Sequence, residues 1–225
     1  MEIIDKDDND DAKTTYYSKT EFFHGFYHNR LDSENKRNYK QVYSAGILPF
    51  SIKGNTIYFL MGKDTENKWS DFGGRCEPSD RNRWDVTATR EFYEESIGAI
   101  CDIPTMMSKL QYRKNFIKVC SKTLNGSPYY MYVVRIHYKD TYKEAFENTM
   151  KFIRYTRTVD KKYQEKLALE WVSLETLCAS LDQENTDTFP LRKVFRRTLI
   201  DNFHFIEAFA KTFLTENSWV RPPTV

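Results

Sequence analysis

The sequence WSDFGGRCEPSD occupies residues 69–80, and REFYEESIG follows at residues 90–98. The second segment lies in a stretch whose residue types predict a helix from about Trp84 to Ser96, ended by Gly98. Adjacent glycines in the first segment leave room for the backbone to approach a ligand or a metal ion closely. The two segments therefore predict a loop and a helix that together carry chemistry.

Three carboxylates dominate the predicted helix. At 100° per residue, Glu91, Glu94 and Glu95 fall within about a 100° arc of its surface. They repel one another and lie near the helix C-terminus, where the dipole disfavours negative charge. A divalent cation with oxygen ligands, Mg²⁺ or Mn²⁺, would relieve this repulsion. A solvated acidic face is the alternative for the helix alone, but it explains neither Arg90 nor the glycine pair.

Together these residues resemble the Nudix box, G-x5-E-x7-R-E-U-x-E-E-x-G-U, where U is aliphatic. Gly74 matches the opening glycine, Asp80 falls at the first glutamate, and residues 90–95 match the core. Nine residues rather than seven separate Asp80 from Arg90, and Ile97 adds one residue before the closing glycine. The longer insertion falls in a loop, where it is easily accommodated. The first acid is Asp rather than Glu, so Glu77 competes for that role.

The resemblance implies a fold and a domain organisation. The fold would be α/β, a Nudix-type α/β/α sandwich with a mixed β-sheet, an N-terminal extension and C-terminal helices. We expect an acidic, disordered tail and a polar-aromatic extension over residues 1–41. The hydrolase domain would span residues 42–180. Residues 181–225 would form a helical extension packed on it. Residues 140–163 are charged and aromatic and give no clear prediction.

The resemblance also implies an activity and a set of site residues. The family cleaves diphosphate linkages in nucleoside diphosphates joined to another group, using Mg²⁺ or Mn²⁺. Glu91, Glu94 and Glu95 would hold the metal with the Gly73 carbonyl, and Arg90 would orient Glu91. Bound metal lowers the pKa of an attacking water, and a nearby carboxylate takes the proton.

One further acid lies outside the box. Nudix enzymes often carry a glutamate six residues before the closing tryptophan, which here is Glu165 ahead of Trp171. It would be a metal ligand or a base, with Glu144 and Glu147 as less favoured alternatives. An exposed loop acid is the other interpretation.

Charge is unevenly distributed along the chain and bears on the substrate. The whole chain has a net charge of +2, but residues 109–166 carry 14 Lys or Arg against five Asp or Glu. Aromatic residues are interleaved with these charges, and Arg192-Lys193 and Arg196-Arg197 extend them. Basic residues follow phosphates and aromatic rings stack on bases. The five substrate contacts that we expect are Arg75, Lys63, Trp69, Arg113 and Arg157.

Several substrates fit this description. The leading one is the 5′ cap of mRNA, cleaved to release methyl-GDP, because decapping enzymes of eukaryotes and large DNA viruses combine such a box with extensions and basic surface. The alternatives are diphosphoinositol polyphosphates and small conjugates such as ADP-ribose or dinucleoside polyphosphates. A non-catalytic Nudix-fold binding module is the other class, and retention of Glu91, Glu94 and Glu95 argues against it.

Composition constrains the setting. Four dispersed cysteines with no C-x-x-C pair predict reduced thiols rather than a zinc site or a disulfide framework. No apolar run is long enough for a membrane span. We therefore expect a cytoplasmic protein that binds a nucleotide or capped RNA, with no membrane contact and no obligate protein partner.

Overall fold

The computed structural model describes residues 43–156, 160–182 and 189–217. Within these ranges seven strands form one sheet. The strands are β1 (Ser44–Lys53), β2 (Thr56–Asp64), β3 (Trp69–Ser70), β4 (Phe72–Arg75), β5 (Phe116–Lys122), β6 (Pro128–Arg135) and β7 (Lys166–Ser173). The helices are α1 (Trp84–Ser96), α2 (Ile103–Gln111), α3 (Thr141–Thr156), α4 (Leu174–Asp182) and α5 (Lys193–Asn217).

The sheet is mixed and splits around β1. The strand order is β3-β2-β1-β6-β5, with β1 and β6 parallel and the other pairs antiparallel. The last residues of β1 pair with β2, whereas its first residues, Ser44 to Ile47, pair with β4. β7 pairs with the opposite edge of β2. This split brings the glycine-containing β4 onto the edge of β1.

Helices cover both faces of the sheet, each over its own apolar cluster. On one face α5 contributes Phe195, Leu199 and Ile206 to a core shared with β1 and β2. On the other face α1 and α3 contribute Phe92 and Phe146. The predicted α/β/α sandwich with a mixed sheet is confirmed.

Main-chain atoms attach the start of α5 to the sheet. The Trp69 N–H donates to the Pro190 carbonyl at 2.8 Å, and the Arg192 N–H donates to the Trp69 carbonyl at 2.9 Å. Trp69 also stacks on Phe189 with ring centroids 5.1 Å apart. We call this pair of backbone bonds the α5 clip.

Most predicted elements agree with the observed ones. The helix at 84–96 is found as predicted, and the Ser173 hydroxyl accepts the Thr176 N–H at the start of α4. Two differences have physical reasons. Residues 69–75, expected to be loop, form two short strands that pair with β2 and β1. Residues 141–156 form a helix that buries Tyr142, Phe146, Met150 and Ile153 on one face.

Two general expectations can be compared with the structure. All four cysteines are free thiols, as predicted. Among the described residues no helix is long and apolar enough to cross a bilayer. The predicted tail and extension at 1–41 lie outside the described residues.

Candidate active site

Helix α1 presents the carboxylates because its other face is apolar. Phe92 is fully buried and meets Phe72 of β4 edge to face, with ring centroids 5.2 Å apart. The helix ends where Ile97 adopts a left-handed conformation at φ 50° and Gly98 follows at φ 68°. With Phe92 anchored, the acidic side of α1 faces β4.

Two glycines of β4 allow this close approach. The Gly73 N–H donates to Glu95 Oε2 at 2.8 Å. A Cβ at Gly74 would lie 2.4 Å from Glu91 Cδ, well inside van der Waals contact. Glycine at 74 is therefore required for Glu91 to reach the strand. The structure gives Gly73 a contact through its N–H, whereas the resemblance implied one through its carbonyl.

The Arg90 guanidinium donates hydrogen bonds to several carboxylates of the site. It donates to both oxygens of Asp80 at 3.0 Å, to Glu91 Oε1 at 2.9 Å and to Glu94 Oε2 at 3.1 Å. It also donates to the Arg75 carbonyl at 2.9 Å. Burial alone would raise the pKa of Asp80, but hydrogen bonds from Arg90 and neighbouring groups hold it below its usual range. Arg90 thus fixes three carboxylates at once.

The carboxyl groups of Glu91 and Glu95 both have pKa values above the ordinary one. Burial raises the pKa of Glu95 to about 8, although the nearby Lys166 ammonium opposes the shift and Glu91 adds to it. Burial also raises the pKa of Glu91 to about 7 against the opposing effect of Arg90, while Glu94 and Glu165 raise it further. Burial, with a smaller contribution from neighbouring carboxylates, therefore disfavours the charged forms of Glu91 and Glu95.

Two lysines approach the cluster, Lys162 from the turn before β7 and Lys166 from the first residue of β7. The Lys162 Nζ atom donates to Glu94 Oε1 at 2.6 Å. Lys166 is 1% exposed, and its Nζ donates to Ser70 Oγ at 2.7 Å and to the Asp71 carbonyl at 3.0 Å. The same ammonium lies 3.5 Å from Glu95 Oε1. Neither lysine was predicted as a site residue.

The carboxylates of the site are the kind of ligand that suits a hard divalent cation, but they are not arranged around one point. No group of three Asp, Glu, His or Cys side chains converges around one point in the described part of the chain. Glu94 is held by Arg90 and Lys162. The negative charge of Glu165 raises the pKa of both Glu91 and Glu95, and Glu91 adds to the shift at Glu95. Carboxylate oxygens with unrelieved negative charge are the ligands that Mg²⁺ and Mn²⁺ prefer.

Two cavities flank this cluster. The acidic cavity has a volume of about 430 Å³. Its lining residues are Asp64, Thr65, Glu66, Glu95, Lys161, Gln164, Glu165 and Arg192. It brings together two of the predicted site residues, Glu95 and Glu165, and four of its eight residues are acidic.

The basic cavity has a volume of about 540 Å³ and is lined by β4. Its charged lining residues are Lys68, Arg75, Arg192, Lys193, Glu66 and Asp71. It also includes Gly73 and Gly74, the β5–β6 turn and the first turn of α5. Glu66 and Arg192 line both cavities.

Of the four predicted substrate contacts that the structure describes, Arg75 alone lines one of these two cavities. Arg75 lines the basic cavity, whereas Lys63 and Trp69 pack on each other at 5.8 Å from ammonium to ring centroid. Arg113 lies in a short turn before β5 and lines neither cavity. Arg157 lies outside the described residues.

The sequence did not indicate Lys166, Asp71 or Tyr129. Asp71 is 4% exposed, and burial raises its pKa to about 6 although the Tyr129 hydroxyl donates to it. A lysine at the start of a strand looks like any surface lysine, so Lys166 carries no readable signal. Of the predicted phosphate-binding patch, Arg192-Lys193 with Arg196-Arg197, the first two residues line the basic cavity and the other two do not.

Comparison with known proteins gives weak similarity. No family model matches the sequence. An uncharacterized protein of Acanthamoeba polyphaga mimivirus is 40% identical over 63 residues, and the match covers 25% of this chain and 20% of that protein.

Solved structures similar to the chain include an Ap4A hydrolase and a NUDIX domain. A C. elegans Ap4A hydrolase is 13% identical with a TM-score of 0.42, covering 73% of this chain and 98% of that one. The NUDIX domain of Shewanella oneidensis NrtR, complexed with ADP ribose, is 12% identical with a TM-score of 0.42, covering 88% and 99%. At these identities and scores the similarity assigns neither family nor substrate.

Proposed function

We propose that this chain is a Nudix-type hydrolase that cleaves a phosphoric anhydride with the help of Mg²⁺ or Mn²⁺. The observation that carries the proposal is the group of carboxylates on α1, held against the glycines of β4 and fixed by Arg90. Glu91, Glu95 and Glu165 would hold the metal. When bound, the metal would neutralise phosphate charge and favour ionisation of an attacking water.

The remaining residues have roles that follow from their contacts. Arg90 orients Glu91 through Oε1, and the Gly73 N–H orients Glu95 through Oε2. Glu94 is bonded to two cations, so we assign it to positioning rather than to metal binding. A carboxylate near the metal would take the proton of the attacking water.

The first test is hydrolysis of diphosphate-containing substrates with and without Mg²⁺ or Mn²⁺. We expect turnover with metal, none in EDTA, and none in the Glu95→Gln variant, which keeps the shape of the side chain. Circular dichroism of the variant would establish that it is folded. A wild-type chain inactive on every substrate with either metal would instead favour a non-catalytic binding module.

For the substrate, we propose the 5′ cap of mRNA as the leading candidate. Its support is basic charge combined with exposed aromatic rings on α3, where Phe152 is 66% and Tyr155 is 85% exposed beside Lys151 and Arg154. Such rings stack on bases while cations bind the phosphates. A capped RNA would place its triphosphate bridge in the acidic cavity.

Diphosphoinositol polyphosphates are the second candidate, favoured by the basic cavity. One panel distinguishes them: cap-labelled RNA, free cap dinucleotide, ADP-ribose and a diphosphoinositol, each with the same preparation. Release of methyl-GDP from long RNA but not from the free dinucleotide supports decapping. Preferential cleavage of the diphosphoinositol or of ADP-ribose contradicts it.

A further inference from the structure

Two of the four cations that line the basic cavity form no ion pair within the described part of the chain. Neither Arg75 nor Lys193 forms an ion pair with another described residue. Arg192 is only distantly paired, with its Nε 3.8 Å from Asp64 Oδ2, and Lys68 is paired with Glu66 at 2.7 Å. Cations that converge on a concave surface attract anions strongly, because the low-dielectric walls focus their field.

The cavity walls offer little for an aromatic base. Among the described residues only two rings line it, those of Tyr129 and Phe195, and they are 5% and 1% exposed. The Tyr129 hydroxyl also donates to Asp71, which fixes the ring. Base recognition by stacking requires an exposed ring face. The volume of about 540 Å³ lies within the usual range of small-molecule sites.

Arg192 connects this cavity to the carboxylate cluster. It lines both cavities, and the α5 clip holds its backbone at the edge of β3. An anion in the basic cavity would therefore share this guanidinium with a phosphate chain in the acidic cavity. Arg196 and Arg197 do not line the cavity, and Arg196 donates to the Leu181 carbonyl at 2.7 Å.

We propose that the basic cavity is a metal-independent anion subsite for a phosphorylated, non-aromatic part of the substrate, reached from the acidic cavity past Arg192. The subsite deepens the proposed hydrolase function, and its binding of an anion does not require cleavage. Its ligand class is a group with two or more phosphates rather than a nucleobase.

The test is calorimetric titration of the full chain with inorganic tripolyphosphate in EDTA. We expect binding to the wild type that weakens with added salt, and about tenfold weaker binding in Lys193→Gln and in Arg75→Gln, since each loses one charged contact. The control is Arg197→Gln, an exposed residue one turn along the same helix, which should bind like the wild type. Adenosine should not bind.

Each contrary result overturns the subsite. These results are no binding of tripolyphosphate to the wild type, equal binding in Lys193→Gln, or binding of adenosine in its place. The Glu95→Gln variant separates this proposal from the previous one, because it should lose metal-dependent hydrolysis and still bind tripolyphosphate in EDTA. The hydrolysis assay and the tripolyphosphate titration are separate measurements, so either proposal can fail while the other holds.

Discussion

The Arg90 guanidinium binds Asp80 with two parallel hydrogen bonds, Nε to Oδ1 and Nη2 to Oδ2, both at 3.0 Å. Asp80 is 1% exposed and also accepts the Thr87 hydroxyl at 2.8 Å. Glu77, the other candidate for the first acid of the box, has a side chain 52% exposed and lies 3.7 Å from Arg90. Asp80 therefore supports the arginine that fixes Glu91 and Glu94.

Replacing Asp80 by Asn should be far more damaging than replacing Glu77 by Gln. Asp80→Asn leaves a mostly buried guanidinium without its main counter-charge, and we expect a loss of about 3 kcal/mol in the free energy of unfolding. Glu77→Gln, at an exposed position, should change it by less than about 0.5 kcal/mol. Urea denaturation of both variants measures this difference, and equal losses would contradict the assigned role.

A methyl group at position 74 should displace the Glu91 carboxylate and so test whether its observed position matters for activity. In Gly74→Ala the new Cβ overlaps the Glu91 carboxylate, so Glu91 must move, and we expect kcat to fall by about 100-fold. The double variant Gly74→Ala/Glu91→Ala removes the overlap. It should recover the melting temperature but not the activity. A single variant with wild-type kcat would show that Glu91 is not needed in its observed position.

Stability without metal should fall as pH rises. The pKa of Glu95 is about 8 in the folded chain against an ordinary value of 4.5, so the folded state binds this proton more tightly than the unfolded state. The stabilisation is complete below about pH 4.5 and is lost by about pH 8. The slope for one such group approaches about 1.4 kcal/mol per pH unit within this window.

Denaturation in EDTA at pH 5, 6, 7 and 8 tests this linkage. Glu95→Gln should flatten the profile because it cannot ionise, and Glu144→Gln, at an exposed position on α3, should leave it unchanged. Stability of the wild type that rises from pH 5 to pH 8 would contradict the prediction.

Lys166 should be coupled to Glu95. Lys166→Met leaves the Glu95 carboxylate, the Ser70 hydroxyl and a buried carbonyl without their cation, and we expect a cost of about 3–5 kcal/mol. The double variant with Glu95→Gln should cost less than the sum of the single variants by about 1–3 kcal/mol. Lys162→Met, at a part-exposed ion pair, is the control and should cost at most about 1 kcal/mol.

The arrangement of the glutamates on α1 beside β4 could be predicted because it depends on residue spacing within short stretches of sequence. The i, i+3 and i+4 spacing of three glutamates places them on one helix face, and the glycines of β4 mark a close approach. Helix α3 was missed because its charges hide an apolar face, although Tyr142, Phe146 and Met150 recur every four residues. Lys166 could not be foreseen, because its burial depends on pairing between β7 and β2.

Because of the α5 clip, the charge at the start of α5 can change without changing how the helix is attached to the sheet. Its hydrogen bonds join main-chain atoms only, so exchanges at Arg192 and Lys193 alter charge without releasing the helix from the sheet. The carboxylates on α1 are held by other contacts, through Arg90 and β4. Single substitutions at Arg192 or Lys193 would consequently change the charge of the basic cavity and leave the carboxylates on α1 where they are.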